Sequence, residues 1–81
     1  MTEKIREIVE ILNQIIKDTS VPRNIRRGAE EARDILLDKK QDVKDRASSA
    51  LYILEELSND RNLPIHARTI LWNVASALET L

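Results

Sequence analysis

Apolar residues in this chain fall at three- and four-residue intervals in four successive runs, and this periodicity constrains the fold more than any other feature. Ile5, Ile8, Val9, Leu12, Ile15 and Ile16 make the first run. That spacing places side chains on one face of a helix. Ile25, Ala29, Ala32 and Leu36 make the second. In the third, Val43, Ala47, Ala50, Leu54 and Leu57 alternate steps of four and three, the spacing of a seam that packs against neighbouring helices at a shallow angle. Ala67, Ile70, Leu71, Val74 and Leu78 form the fourth. Polar stretches break the pattern, so connections are expected near residues 18 to 21, 38 to 42 and 58 to 63, with Leu12, Leu36, Leu54, Val74 and Leu78 buried. Pro22 and Pro64 read as first-turn residues of the second and fourth helices, where a missing amide proton is tolerated, with Ser20 or Val21 as the first cap. Asp42 and Asp45 resemble an acidic capping box opening the third helix.

Eighty-one residues supply one hydrophobic core and not two, so residues 1 to 81 read as a single domain. Aromatic residues make up 2% of the chain and Phe is absent, so the core must be built from Ile, Leu, Val and Ala. The one glycine, Gly28, lies inside the second helix beside its apolar face. It costs about 1 kcal/mol relative to Ala there, which close approach of a neighbouring helix would recover; an unselected small residue at a tolerant site is the other reading.

A shift of 42 residues superimposes the first half on the second. Ile11 falls on Ile53, Leu12 on Leu54, Asp18 on Asp60, Pro22 on Pro64, Arg26 on Arg68 and Leu36 on Leu78. Two amphipathic hairpins share apolar positions by chance, so the weight lies on the Asp-x-x-x-Pro-x-x-x-Arg match across the turn. The period and the Pro-x-x-apolar-Arg pattern resemble HEAT-type helical repeats, but two hairpins can instead close on themselves through short connections. The expected fold is all-α: a four-helix up-and-down bundle made of two similar helical hairpins.

The chain has no Cys and one His, which excludes disulfides, thiolate catalysis and sulfur-ligated metals, and leaves no metal-ligand set. Glu30-Glu31 and Glu55-Glu56 are adjacent in sequence, so each pair diverges around its helix. Ser48-Ser49 sits within a helix without a nucleophile elbow, and no Gly-rich loop is present to cradle a phosphate. No enzyme activity and no cofactor are expected. The first residues lack the apolar run of a signal peptide, and no segment is apolar enough to span a bilayer, so a cytoplasmic protein without a membrane partner is expected.

Two features point to interaction surfaces. Arg23, Arg26 and Arg27 open the second helix, and Arg61, His66 and Arg68 surround the start of the fourth. Helices two and four run parallel in an up-and-down bundle, so these groups are expected to gather at one basic end, able to bind an anion through guanidinium groups and free amides. The competing reading makes them counter-charges for Asp18, Asp60 and nearby glutamates, with His66 a half-exposed, neutral surface residue. The second feature is Tyr52, Ile65 and Trp72, which lie off the apolar stripes. Trp72 is expected either against the edge of helix one or, with Tyr52 and Ile65, in a partner or dimer contact.

The runs Ser20-Val-Pro-Arg-Asn-Ile-Arg-Arg27, Arg46-Ala-Ser-Ser-Ala50 and His66-Ala-Arg-Thr-Ile-Leu-Trp-Asn73 together resemble a family of small archaeal proteins known only as uncharacterised. The resemblance spans nearly the whole chain; it implies a four-helix bundle in an archaeal cytoplasm and no activity. With a net charge of −1 no global field draws the chain to nucleic acid. The functional expectation is therefore a non-enzymatic macromolecular interaction module, binding another protein or a second copy. The alternative is an accessory factor contacting RNA or a ribonucleoprotein through the basic end, against which stands the lack of aromatic residues among the arginines.

Overall fold

Each apolar run becomes one helix in the computed structural model, which describes residues 2–81. The helices are α1 (Thr2–Ile16), α2 (Arg23–Leu37), α3 (Val43–Ser58) and α4 (Ile65–Glu79). Each packs against its two neighbours around a ring, α1 on α2, α2 on α3, α3 on α4 and α4 on α1; among the described residues neither diagonal pair makes a close approach. The ring closes antiparallel. Lys4 at the start of α1 donates to the Thr80 hydroxyl just beyond α4, while Asp18, just beyond α1, meets His66 in the first turn of α4. The expected up-and-down bundle is thus the observed one.

The core is wholly aliphatic, as the absence of Phe requires. Leu12, Leu36, Leu54, Val74 and Leu78 are all buried within it, and among the described residues no polar or charged side chain is buried. Gly28 has the close neighbour anticipated for it: a Cβ there would lie 2.6 Å from Leu57 Cδ2 and 2.9 Å from Cδ1, so the missing side chain lets Leu57 of α3 press onto α2.

All three connections are built as one corner. Asp18, Asp38 and Asp60 each accept, through the side chain, the N–H two residues ahead: Ser20 at 2.9 Å, Lys40 at 3.0 Å and Asn62 at 2.8 Å. Their main-chain carbonyls accept from Val21, Gln41 and Leu63, one residue further on. Such Asx turns hold the chain without secondary structure. Four residues after each Asp comes the helix N-cap, at Pro22, Asp42 and Pro64. Eight residues after it an arginine reaches back: Arg26 Nε to the Val21 carbonyl (3.0 Å), Arg46 to those of Gln41 (2.8 Å) and Leu36 (3.1 Å), and Arg68 to that of Ser58 (2.6 Å). Carbonyls at a helix C-terminus lack intrahelical donors, and Arg46 and Arg68 supply one to the ends of α2 and α3.

The capping expectation is corrected on two counts. Pro22 and Pro64 are themselves the N-caps, with extended backbones (ψ 148° and 150°), and Ser20 bonds to Asp18 instead of capping α2. The ring fixes φ at a value the cap accepts, and a cap residue needs only its carbonyl for the helix, which here accepts from Ile25, Arg26 and Arg68. Asp42 does cap α3 by accepting from Lys44, but among the described residues Asp45 returns no bond, so the capping box is half formed.

Candidate interaction surfaces

The corners at residues 18–22 and 60–64 sit at the same end of the bundle, tied by two cross-contacts. Asp18 Oδ2 lies 2.8 Å from His66 Nε2, and Asp60 Oδ2 accepts from Asn24 Nδ2, also at 2.8 Å. Each contact is the image of the other under the 42-residue shift. The donors converging on these carboxylates favour the charged form. Asp18 is pulled down to about 2, first by the Ser20 hydroxyl, then by His66 and the Ser20 N–H. Asp60 is lowered by the Asn62 N–H and then by the Asn24 amide.

These contacts overturn the counter-charge reading of Arg23, Arg26, Arg27, Arg61 and Arg68. Among the described residues the only ion pairs are Arg33 with Asp34 and His66 with Asp18, so neither Asp18 nor Asp60 neutralises an arginine. The physical reason is local: each aspartate satisfies the backbone of its own corner and the first turn of the facing helix. The arginines share an end without forming one site, because α2 and α4 lie on a diagonal of the ring. Arg23, Arg26 and Arg27 line a small groove of about 190 Å³ with Ile16 and Glu30, and neither Arg61 nor Arg68 reaches it. Arg26 and Arg68 are held by main-chain carbonyls. His66 is half-exposed and bonded to Asp18.

Trp72 does not pack against α1. It is 72% exposed and Ile65 is 83% exposed. His66 reaches the end of α1 and Arg68 the end of α3, so the stripe between them faces away from both neighbours. That stripe runs Ile65, Thr69, Trp72 and Ser76, all exposed, with no charged side chain before Glu79. Tyr52 is exposed too, but belongs elsewhere: it lines a shallow groove between α2 and α3 with Glu31, Ile35 and Ser48. The sequence reading passed over Leu37, which is 51% exposed. Its signal was available, since it follows Leu36 at the end of α2 and lies off the buried stripe. Among the described residues no three metal-ligating side chains converge, and no helix is long and apolar enough to cross a membrane.

Comparison with known proteins places this arrangement among archaeal relatives. A protein of Thermococcus kodakarensis, UPF0147 protein TK2131, is 54% identical over 80 residues, covering 98% of this chain and 96% of its own. A UPF0147 protein of Methanothermobacter thermautotrophicus is 51% identical over 79 residues, covering 98% and 78%. Among solved structures, that of the unknown-function protein MMP1188 matches with a TM-score of 0.97 at 40% identity, covering 99% of this chain and 91% of that one. A Thermoplasma acidophilum protein from the same uncharacterised family matches with a TM-score of 0.93 at 31% identity, covering 99% and 94%. The family model matches residues 1–81, and the chain belongs to the uncharacterised protein family UPF0147.

Proposed function

We propose that this protein is a non-enzymatic interaction module of the archaeal cytoplasm that docks onto another protein through the outer face of α4. The observation that carries the reading is the exposure of Ile65 and Trp72, two turns apart on a stripe without charge. A buried Trp brings roughly 150–250 Å² of contact and is enriched at binding hot spots. The stripe residues themselves carry no charge, and Arg68 at their edge is held by the Ser58 carbonyl, whereas α1, α2 and α3 present charged outer faces. The non-enzymatic half of the reading is supported by the lack of a convergent metal-ligand set among the described residues.

The test is recovery of partners by the tagged protein from its native cells after nuclease treatment, for wild type, Trp72→Ser and Ile65→Ser. Both side chains are exposed, so thermal unfolding should be unchanged while recovery of one defined partner falls about tenfold, and that partner should blue-shift Trp72 fluorescence when the purified components are mixed. Unchanged recovery would remove α4 from the reading. If purified protein alone shows the blue shift with rising concentration, the partner is a second copy.

A second reading, contact with RNA, is favoured by one observation: among the described residues Arg23, Arg27 and Arg61 have no carboxylate within ion-pair distance. Phosphate contacts would appear as retention on RNA that weakens with salt and is reduced by Arg23→Ser and Arg27→Ser.

A further inference from the structure

The third corner differs from the other two at the position that closes the core. Three residues after the aspartate, Val21 and Leu63 are buried (1% and 5% exposed) and close the core beneath them. At the third corner the same position is Gln41, which is exposed. That end of the bundle therefore lacks the apolar plug of the other end, and beside it opens a cavity of about 540 Å³, within the size range of ligand sites. Its floor is Ile5, Val9 and Leu36, already buried; its accessible wall is Leu37, half-exposed, with the partly buried Val43.

Three cations, Arg6, Lys39 and Arg46, complete the lining, and no carboxylate does. The aspartates nearest in the corner, Asp38 and Asp42, are engaged by the N–H groups of Lys40 and Lys44. Arg46 is held by two carbonyls, which leaves Arg6 and Lys39, both exposed, as the adaptable charges. No residue of α4 takes part, so the cavity is separate from the Trp72 stripe.

We propose that this cavity binds a peptide segment of a partner protein in which a bulky apolar side chain is flanked by carboxylates. The accessible wall is narrow and suits one or two apolar side chains. Cations with no internal partner complement flanking acids, and charge complementarity of this kind governs partner choice. A polynucleotide would meet the cations and leave Leu37 in water; a purely apolar ligand would bury the wall and leave the cations without partners.

The probe is a synthetic peptide, acetyl-Glu-Asp-Leu-Phe-Asp-Glu-amide, titrated into the full chain with methyl NMR detection beside its lysine-flanked counterpart, Lys replacing each acid. The methyls of Leu37 and Val43 should shift saturably, with the lysine-flanked peptide binding about tenfold more weakly, as the loss of two or three exposed ion pairs implies. Leu37→Glu should weaken binding of the acid-flanked peptide by about tenfold or more. The double variant Arg6→Glu/Lys39→Glu should invert the preference between the two peptides. All three positions are exposed, and a thermal melt confirms that the variants fold. Absence of saturable shifts up to millimolar peptide, equal affinity for both peptides, or shifts centred on the Ile65 methyls of the Trp72 stripe would each overturn the proposal.

Discussion

The seam between α2 and α3 and the seam between α4 and α1 are images of one another under the 42-residue repeat, yet they are filled with side chains of different size. Where α1 brings Ile5 and Ile8 to the core, α3 brings Ala47 and Ala50; where α2 brings Ala29 and Ala32, α4 brings Leu71 and Val74. Bulk has been exchanged between the halves. The small-residue pair, α2 and α3, makes the most extensive backbone approach in the bundle and includes Gly28 beneath Leu57. It is also joined covalently by a corner. The bulky pair, α4 and α1, has no connection and is tied at its two ends by Lys4 with Thr80 and Asp18 with His66. Matching sequence positions need not carry side chains of matching size, because packing constrains the summed volume of a layer and not which helix supplies it.

The largest effect should come from opening the bulky seam. Leu71→Ala should lose about 2–5 kcal/mol in urea unfolding, as fully buried Leu truncations do. Crowding the close seam should cost less: Ala32→Leu about 1–3 kcal/mol. If Leu71→Ala proved the milder change, the division into a bulky and a close seam would be wrong. The paired exchange Ile8→Ala with Ala50→Ile sharpens the point, since restoring the layer volume should make the double variant more stable than the sum of its singles by about 0.5 kcal/mol or more.

Gly28 gives a smaller change whose sign depends on Leu57. Gly28→Ala gains about 1 kcal/mol of helix propensity and displaces the flexible tip of Leu57, so the net change in unfolding free energy should stay within about 1 kcal/mol. Gly28→Val, which adds two more carbons in that space, should be clearly destabilising by the same measurement.

The end contacts should matter least. Asn24 occupies the position equivalent to His66, so His66→Asn should retain the bond to Asp18 while His66→Ala loses it, giving a melting temperature for the Asn variant between wild type and Ala. Asp18 binds its proton more weakly folded than unfolded, so its contribution is complete above the ordinary carboxylate pKa near 3.8 and is lost as the pH falls toward about 2. Asp18→Asn should therefore flatten the fall in melting temperature between about pH 4 and pH 2.

Helix number, connection positions and the five expected core residues, four leucines and one valine, were legible because period and burial are coupled by geometry: a stripe on one face has one way to leave water. The Asp-x-x-x-Pro-x-x-x-Arg repeat was legible twice and missed at its third occurrence, Asp38 to Asp42 to Arg46, because Asp stands where Pro stands in the others. Both residue types serve an N-cap, one by a fixed φ and the other by a side-chain acceptor, so a pattern based on identity failed where one based on role would have succeeded. For Trp72 the helical wheel located its direction but not what occupied that direction, and no neighbour in the ring covers it. The arginines were placed correctly along the chain and expected to converge, but the diagonal arrangement of α2 and α4 holds them apart.

From its residues alone this chain was bound to be four amphipathic helices around an aliphatic core, joined by short corners, because local spacing and the lack of Phe leave no other way to bury its apolar groups. Its surface followed from the tertiary arrangement. Which carboxylate meets His66, which arginines remain without a counter-charge, and which apolar side chains stay in water depend on contacts between residues tens of positions apart. Such contacts depend on how four nearly interchangeable helices order themselves around the ring, and no periodicity within one helix encodes that order.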